Sequence, residues 1–117
     1  MTLLKTAIVI SLGMISTSDI ALAQAAAHRC RTGYVWREAT PGDFVCVSVH
    51  QRYDAGLQNQ AGRYNRQPGG GAYGRDTCRQ GYVWRETYPG DHVCVTPSER
   101  EAARRENAAS GWHTNPW

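Results

Sequence analysis

Several residue groups in this 117-residue chain have types and spacings that could do chemistry. Cys46 and His50 stand at a C-x3-H spacing suited to zinc, with Cys30 available as a third ligand. Glu38 and Asp43 bracket a Pro-Gly pair, as do Glu86 and Asp91, and two carboxylates across one turn could serve as general acid and base. Tyr34, Trp36 and Arg37 put two aromatic rings beside a cation, and Tyr82, Trp84 and Arg85 repeat the set. Such rings stack on sugars, and arginine pairs with carboxylate, sulfate or phosphate.

These groups are linked by a duplication. Residues 30–47 read CRTGYVWREATPGDFVCV and residues 78–95 read CRQGYVWRETYPGDHVCV, with fourteen of eighteen positions identical at an offset of 48. Whatever the unit needs in order to fold or act should appear twice, so the repeat acts as an internal control. Zinc fails it: Ser98 stands at the position of His50, and Phe44 at that of His92. The four cysteines read instead as two disulfides, and of three connectivities Cys30 with Cys46 and Cys78 with Cys94 is favoured because each copy then closes on itself.

Catalysis fares no better. No His, Ser or Cys recurs as an activated nucleophile, and the carboxylates read as aspartates binding turn amides and glutamates pairing with arginines. No enzymatic activity, cofactor or metal is expected. The aromatic and arginine set passes the control, although the same tryptophans could form the core of so small a unit.

Each copy predicts a strand, a tight turn and a second strand. Pro41-Gly42 and Pro89-Gly90 suit type II turns, and pairing residues whose numbers sum to 83 sets Trp36 opposite Val47 and Glu38 opposite Val45. One face would then carry Tyr34, Trp36, Val45 and Val47, and the other Val35, Arg37, Phe44 and Cys46. Gly33 and Gly81 allow the preceding chain to fold back over the hairpin. Thr96-Pro97-Ser98-Glu99 is a capping box opening an alanine-rich helix over 97–109, stopped before Gly111. Ser48 to Gln51 repeats the box, but the following stretch, 49–61, contains Gly56 and few good helix formers, which predicts a short or frayed helix.

The fold class expected is small, disulfide-rich α+β, with two tandem ββα modules joined by a flexible Gly-rich linker. The boundaries are a signal peptide over 1–23, a first module over 28–61, the linker over 62–75, a second module over 76–110 and an aromatic tail over 111–117. Beads on a string is the default arrangement, and a pseudo-twofold pairing of the units competes with it. Lys5, an apolar run over 6–15 and the small-x-small site ending at Ala23 make the signal peptide, with cleavage after Ala25 or Ala27 as alternatives. The run is too short for a membrane span, so secretion or a periplasmic location follows, without stable membrane insertion.

The net charge of +3 permits contact with anionic surfaces. Export and so small a charge argue against nucleic acid as a partner. The expected partner is a glycan or an anionic envelope polymer, and two sites on one chain would raise apparent affinity. The alternative is an interaction or inhibitor protein that presents its Pro-Gly-Asp loops to a protein partner.

The string C-x2-GYVWRE-x2-PGD-x-VCV, followed in the second copy by TPSER and an Ala-rich helix ending in Glu106-Asn107, resembles repeats of uncharacterised secreted bacterial proteins. The resemblance implies an exported, repeat-built, disulfide-containing protein and carries no established activity. The first copy departs from it after Val47, where Ser48-Val49 stands in place of Thr-Pro.

Overall fold

The structure is a computed structural model that describes residues 16–19 and 29–115. The expected signal peptide, apart from residues 16–19, and its cleavage sites lie outside the described residues. The order of elements is β1 (Val35–Trp36), β2 (Cys46–Val47), α1 (Val49–Gly62), β3 (Val83–Trp84), β4 (Cys94–Val95) and α2 (Pro97–His113). The fold is therefore small α+β with two hairpins and two disulfides, Cys30 to Cys46 and Cys78 to Cys94. No helix among the described residues is long and apolar enough to cross a membrane.

Both hairpins are antiparallel, but their register differs by one from that expected. Val35 faces Val47 and Trp36 faces Cys46, and the second copy pairs Val83 with Val95 and Trp84 with Cys94. The cause lies beside the turn. Glu38 and Glu86 adopt left-handed φ values of 50° and 56°, and each donates its N–H to the carbonyl of the turn aspartate. The next bond, Arg37 N–H to Val45 O, leaves Phe44 as an extra residue on the returning strand, which is a bulge. A slip of one residue exchanges the two faces. Trp36 therefore shares a face with Phe44, in edge contact at 4.6 Å, and with Cys46 rather than with Val47.

The turns themselves differ between copies. Thr40 O accepts from Asp43 N–H with Gly42 at φ 86°, a type II turn as expected. Tyr88 O accepts likewise from Asp91 N–H, but Gly90 has no positive φ, and a Cβ there would meet the Tyr88 ring at 2.8 Å. Gly33 and Gly81, both at φ 92°, make the fold-back that brings the first cysteine of each pair over its hairpin.

Each helix begins with the capping box read from the sequence. Ser48 accepts from Gln51 N–H while Gln51 Oε1 accepts from Ser48 N–H, and Thr96 and Glu99 do the same. The first helix is not short: it runs fourteen residues through Gly56, because Ala55 and Gly62 are buried against the second hairpin. A Cβ at Gly62 would meet Val93 Cγ1 at 2.9 Å, so glycine sets how closely α1 approaches β4. The second helix continues past Gly111 to His113, whose carbonyl accepts from Arg31 N–H at 2.8 Å. Packing overrides local propensity in both cases.

Those last contacts disclose the architecture. The end of α2 packs on the first hairpin, where Ser110 Oγ accepts from Cys46 N–H at 3.1 Å and Thr114 bridges to Cys30. The end of α1 packs on the second hairpin, where Asn65 O accepts from Arg79 N–H at 2.8 Å and Arg66 bridges to Cys78. Each helix thus begins on its own hairpin and completes the other. The pairs match at the offset of 48, so a pseudo-twofold axis relates the halves, and beads on a string is replaced by a reciprocal exchange of helices. The expected linker, 62–75, is hydrogen-bonded back on itself: Gly71 and Gly74 bridge, and Thr77 Oγ1 donates to Gly74 O at 2.7 Å.

Candidate functional site

The apolar core is thin. Cys46, Val47, Cys94 and Val95 are each 1% exposed, and the helices add Ala55, Gly62 and Ala103. The largest side chains buried among them are Arg37 and Arg85, at 2% and 1% exposure. Arg37 Nε donates to Asp43 Oδ2 at 2.7 Å and its Nη2 reaches Oδ1, while Nη1 meets Glu106 and Nη2 meets Asn107 on α2. Arg85 grips Asp91 in the same fork and reaches Gln58 and the Ala55 carbonyl on α1. Both arginines were expected to meet a ligand. They are instead buried internal clamps that tie each turn to the other half's helix.

The carboxylates follow. Asp43 accepts from the amides of Ala39 and Val45, and Asp91 from those of Thr87 and Val93 as well as from Thr87 Oγ1 at 2.6 Å. Burial pushes the Asp91 carboxyl up, but hydrogen bonds from Arg85 and Thr87 and the charge of Arg85 hold it below the ordinary aspartate value of 3.8. Glu38 and Glu86 pair at 2.7 Å with Arg52 and Arg100. Glu106 differs: burial raises it above the usual 4.5, Arg37 opposes this, and Asp43 and Asp54 add to it.

The candidate aromatic residues divide by copy. Tyr34 is stacked on His113, with ring centroids 3.9 Å apart, and Trp36 lies against Phe44. In the second copy Asn65 stands at the position of His113, and Tyr82 lines an open groove of about 280 Å³ with Trp84 and Tyr73. Trp84 is fixed there in two ways. Its Nε1 donates to Asp76 O at 2.7 Å, and the indole stacks on His92 at 3.9 Å, itself 3.2 Å from Asp76. Tyr73 approaches Trp84 edge-on at 6.0 Å, and the Glu86–Arg100 pair supplies polar groups at the groove.

Sequence reasoning thus reached Tyr82 and Trp84 but missed Tyr73, which sits in the segment taken for linker. The cue available was an aromatic residue amid glycines, where composition alone gives it no partner. Cys30 and Cys46 are joined to each other, so neither presents a thiolate beside His50. Among the described residues no group of three or more His, Cys, Asp or Glu is placed to hold a metal ion. The chain matches no protein-family model, no curated protein and no solved structure.

Proposed function

We propose that this chain is an exported, non-enzymatic binding protein that takes a glycan in the groove formed by Tyr73, Tyr82 and Trp84. One observation carries the reading: three aromatic rings converge on an open groove beside an exposed ion pair, with the central indole held rigidly from behind. Flat apolar rings flanked by hydrogen-bonding groups suit the faces and hydroxyls of a sugar. The two disulfides fit a protein that works in an oxidising compartment, the periplasm or the exterior. The carboxylates that flank the turns, Asp43 and Asp91, are engaged with backbone amides and arginines, which supports binding over turnover.

The duplication on this reading serves the scaffold, and the site belongs to the second copy. The two Pro-Gly-Asp loops differ in turn geometry, which favours the groove over repeated loop presentation. Tyr73, at 75% exposure, offers the cleanest test. Tyr73→Ala is expected to weaken glycan binding by about tenfold, a stacking contact being worth about 1–3 kcal/mol, with the melting temperature unchanged. Trp84→Ala is expected to abolish binding. Undiminished affinity in both variants on a glycan array would refute the groove.

A further inference from the structure

We infer that the pocket between the end of α1 and the second Pro-Gly-Asp turn binds a tetrahedral oxyanion, a phosphate or sulfate group, on Arg63 and Arg66. The site is separate from the aromatic groove and does not rest on the glycan reading. Arg63, Arg66, Asp76 and His92 line a cavity of about 250 Å³ there, together with Asn59 and Tyr88. It is smaller than the roughly 300–1,000 Å³ pockets that enclose whole drug-sized molecules, and it suits a single charged group.

The cations in this pocket are uncommitted, which sets them apart from most arginines of the chain. Arg37 and Arg85 are buried on aspartates, Arg52 and Arg100 pair with Glu38 and Glu86, and Arg104 and Arg105 share Glu101. The side chain of Arg63 makes no ion pair or hydrogen bond among the described residues, and Arg66 meets Asp76 only at 3.9 Å. Asp76 gives its other oxygen to His92 Nδ1 at 3.2 Å, and Asp91, the second carboxylate of the lining, is already held by Arg85 and Thr87. With histidine counted neutral, two arginines against the one carboxylate of Asp76 leave a formal charge of +1. Arg63 caps α1, and the N–H groups of Tyr64 and Asn65 both return to Ala61 O, so the chain is still coiled where the two arginines leave it. Two guanidinium forks offer more donors than the two oxygens of one carboxylate can take in pairs, whereas a phosphate or sulfate group presents at least three oxygens.

The duplication supplies a control within the molecule. A second pocket lies at the first turn, lined by Asp43, Phe44, Ser110 and Thr114, and it is the counterpart of this one: Thr40 and Tyr88, themselves related by the offset of 48, line both. In the first half Phe44 stands for His92, Gly111 for Arg63 and Thr114 for Arg66, and no arginine, lysine or histidine lines the pocket. The backbone contact is nevertheless the same, Thr114 bridging to Cys30 as Arg66 does to Cys78. The scaffold therefore forms this corner without the two guanidiniums, and their presence in one half alone is not owed to packing.

NMR titration of the full chain at pH 7 tests the site, with inorganic phosphate and sodium sulfate as separate probes, acetate as the carboxylate control and chloride holding the ionic strength constant. Saturable shifts are expected at the Nε–H groups of Arg63 and Arg66 and at the amides of Gly90 and His92, and the probe that produces them distinguishes phosphate from sulfate. The amides of Gly42 and Phe44, in the counterpart pocket, are expected to stay in place. Arg63→Gln with Arg66→Gln is expected to weaken binding at least about tenfold through loss of charge-assisted hydrogen bonds, with the melting temperature unchanged. Tyr73→Ala is expected to leave oxyanion binding intact, so failure of the glycan reading would not remove this site. Shifts that never saturate, or that are as large at the exposed Arg75 as at Arg63, would reduce the effect to general attraction of anions and overturn the inference. Saturable binding that survives the double variant, or acetate bound as tightly as either probe, would overturn it as well.

Discussion

The residues that hold this molecule together are charged, which is unusual for a core so small. Arg37 and Arg85 bring polar forks into the space between hairpin and helix, and every buried polar side-chain atom among the described residues has a partner. A buried arginine whose carboxylate is removed costs about 3–5 kcal/mol, which gives Asp43 and Asp91 a structural reason to recur. The two carboxyls with displaced titration act in opposite senses. Asp91, held below 3.8, contributes stability that is present above its unfolded value and lost as pH falls through its folded one. Glu106, raised above 4.5, contributes stability that is full below its unfolded value and lost as pH rises through its folded one. Gln58 occupies the equivalent place on α1 and meets Arg85 at 3.3 Å, the distance at which Glu106 meets Arg37. Glu106→Gln is therefore expected to preserve the fold, to change stability at pH 7 by no more than about 1 kcal/mol, and to flatten its decline above pH 4.5. Urea midpoints followed against pH check this, and a variant with the parent's full decline would contradict it.

At the scale of elements, the hairpins, caps and disulfide pairing were legible because each depends on a local signal. Pro-Gly marks a turn, Ser or Thr three residues before Gln or Glu marks a helix start, and paired cysteines at repeated spacing mark closure. The strand register was not legible, because it turns on the left-handed backbone at Glu38 and Glu86, a conformation that glutamate does not advertise. The lengths of the helices were missed for a related reason: Gly56 and Gly111 weaken them locally, and contacts with the opposite hairpin hold them. Arg37 and Arg85 read as binding residues because an arginine beside aromatics looks the same in sequence whether it faces solvent or the core. The helices meet the centre of the molecule through alanine, and Ala55, Ala103, Arg37 and Arg85 line a cavity of about 10 Å³ with Gln58 and Glu106. Ala103→Leu is expected to overfill it and cost about 1–3 kcal/mol, whereas Ala108→Leu on the exposed side should be nearly neutral. Equal thermal stability of the two variants would show that the axis is not packed as described.

The whole molecule is a duplicated unit closed upon itself by exchange. Each hairpin is completed by the helix of the other half: α2 supplies Ser110, Glu106 and Asn107 to the first, and α1 with the turn after it supplies Gln58, the Ala55 carbonyl and Asn65 to the second. The symmetry is then broken where function is proposed. His113 covers Tyr34, whereas Tyr82 lines the groove, to which the segment between the halves supplies Tyr73. The sequence offers a pseudo-twofold pairing only as the competitor to beads on a string, because its Gly-rich middle reads as linker and a repeat does not declare which partner its helix will choose. The exchange is tested most directly by nuclear Overhauser contacts in dilute monomeric protein. Cross-peaks between the rings of Tyr34 and His113, stacked at 3.9 Å, are expected to be strong. Their absence, with the first hairpin instead showing contacts only to α1, would mean that each half folds on its own.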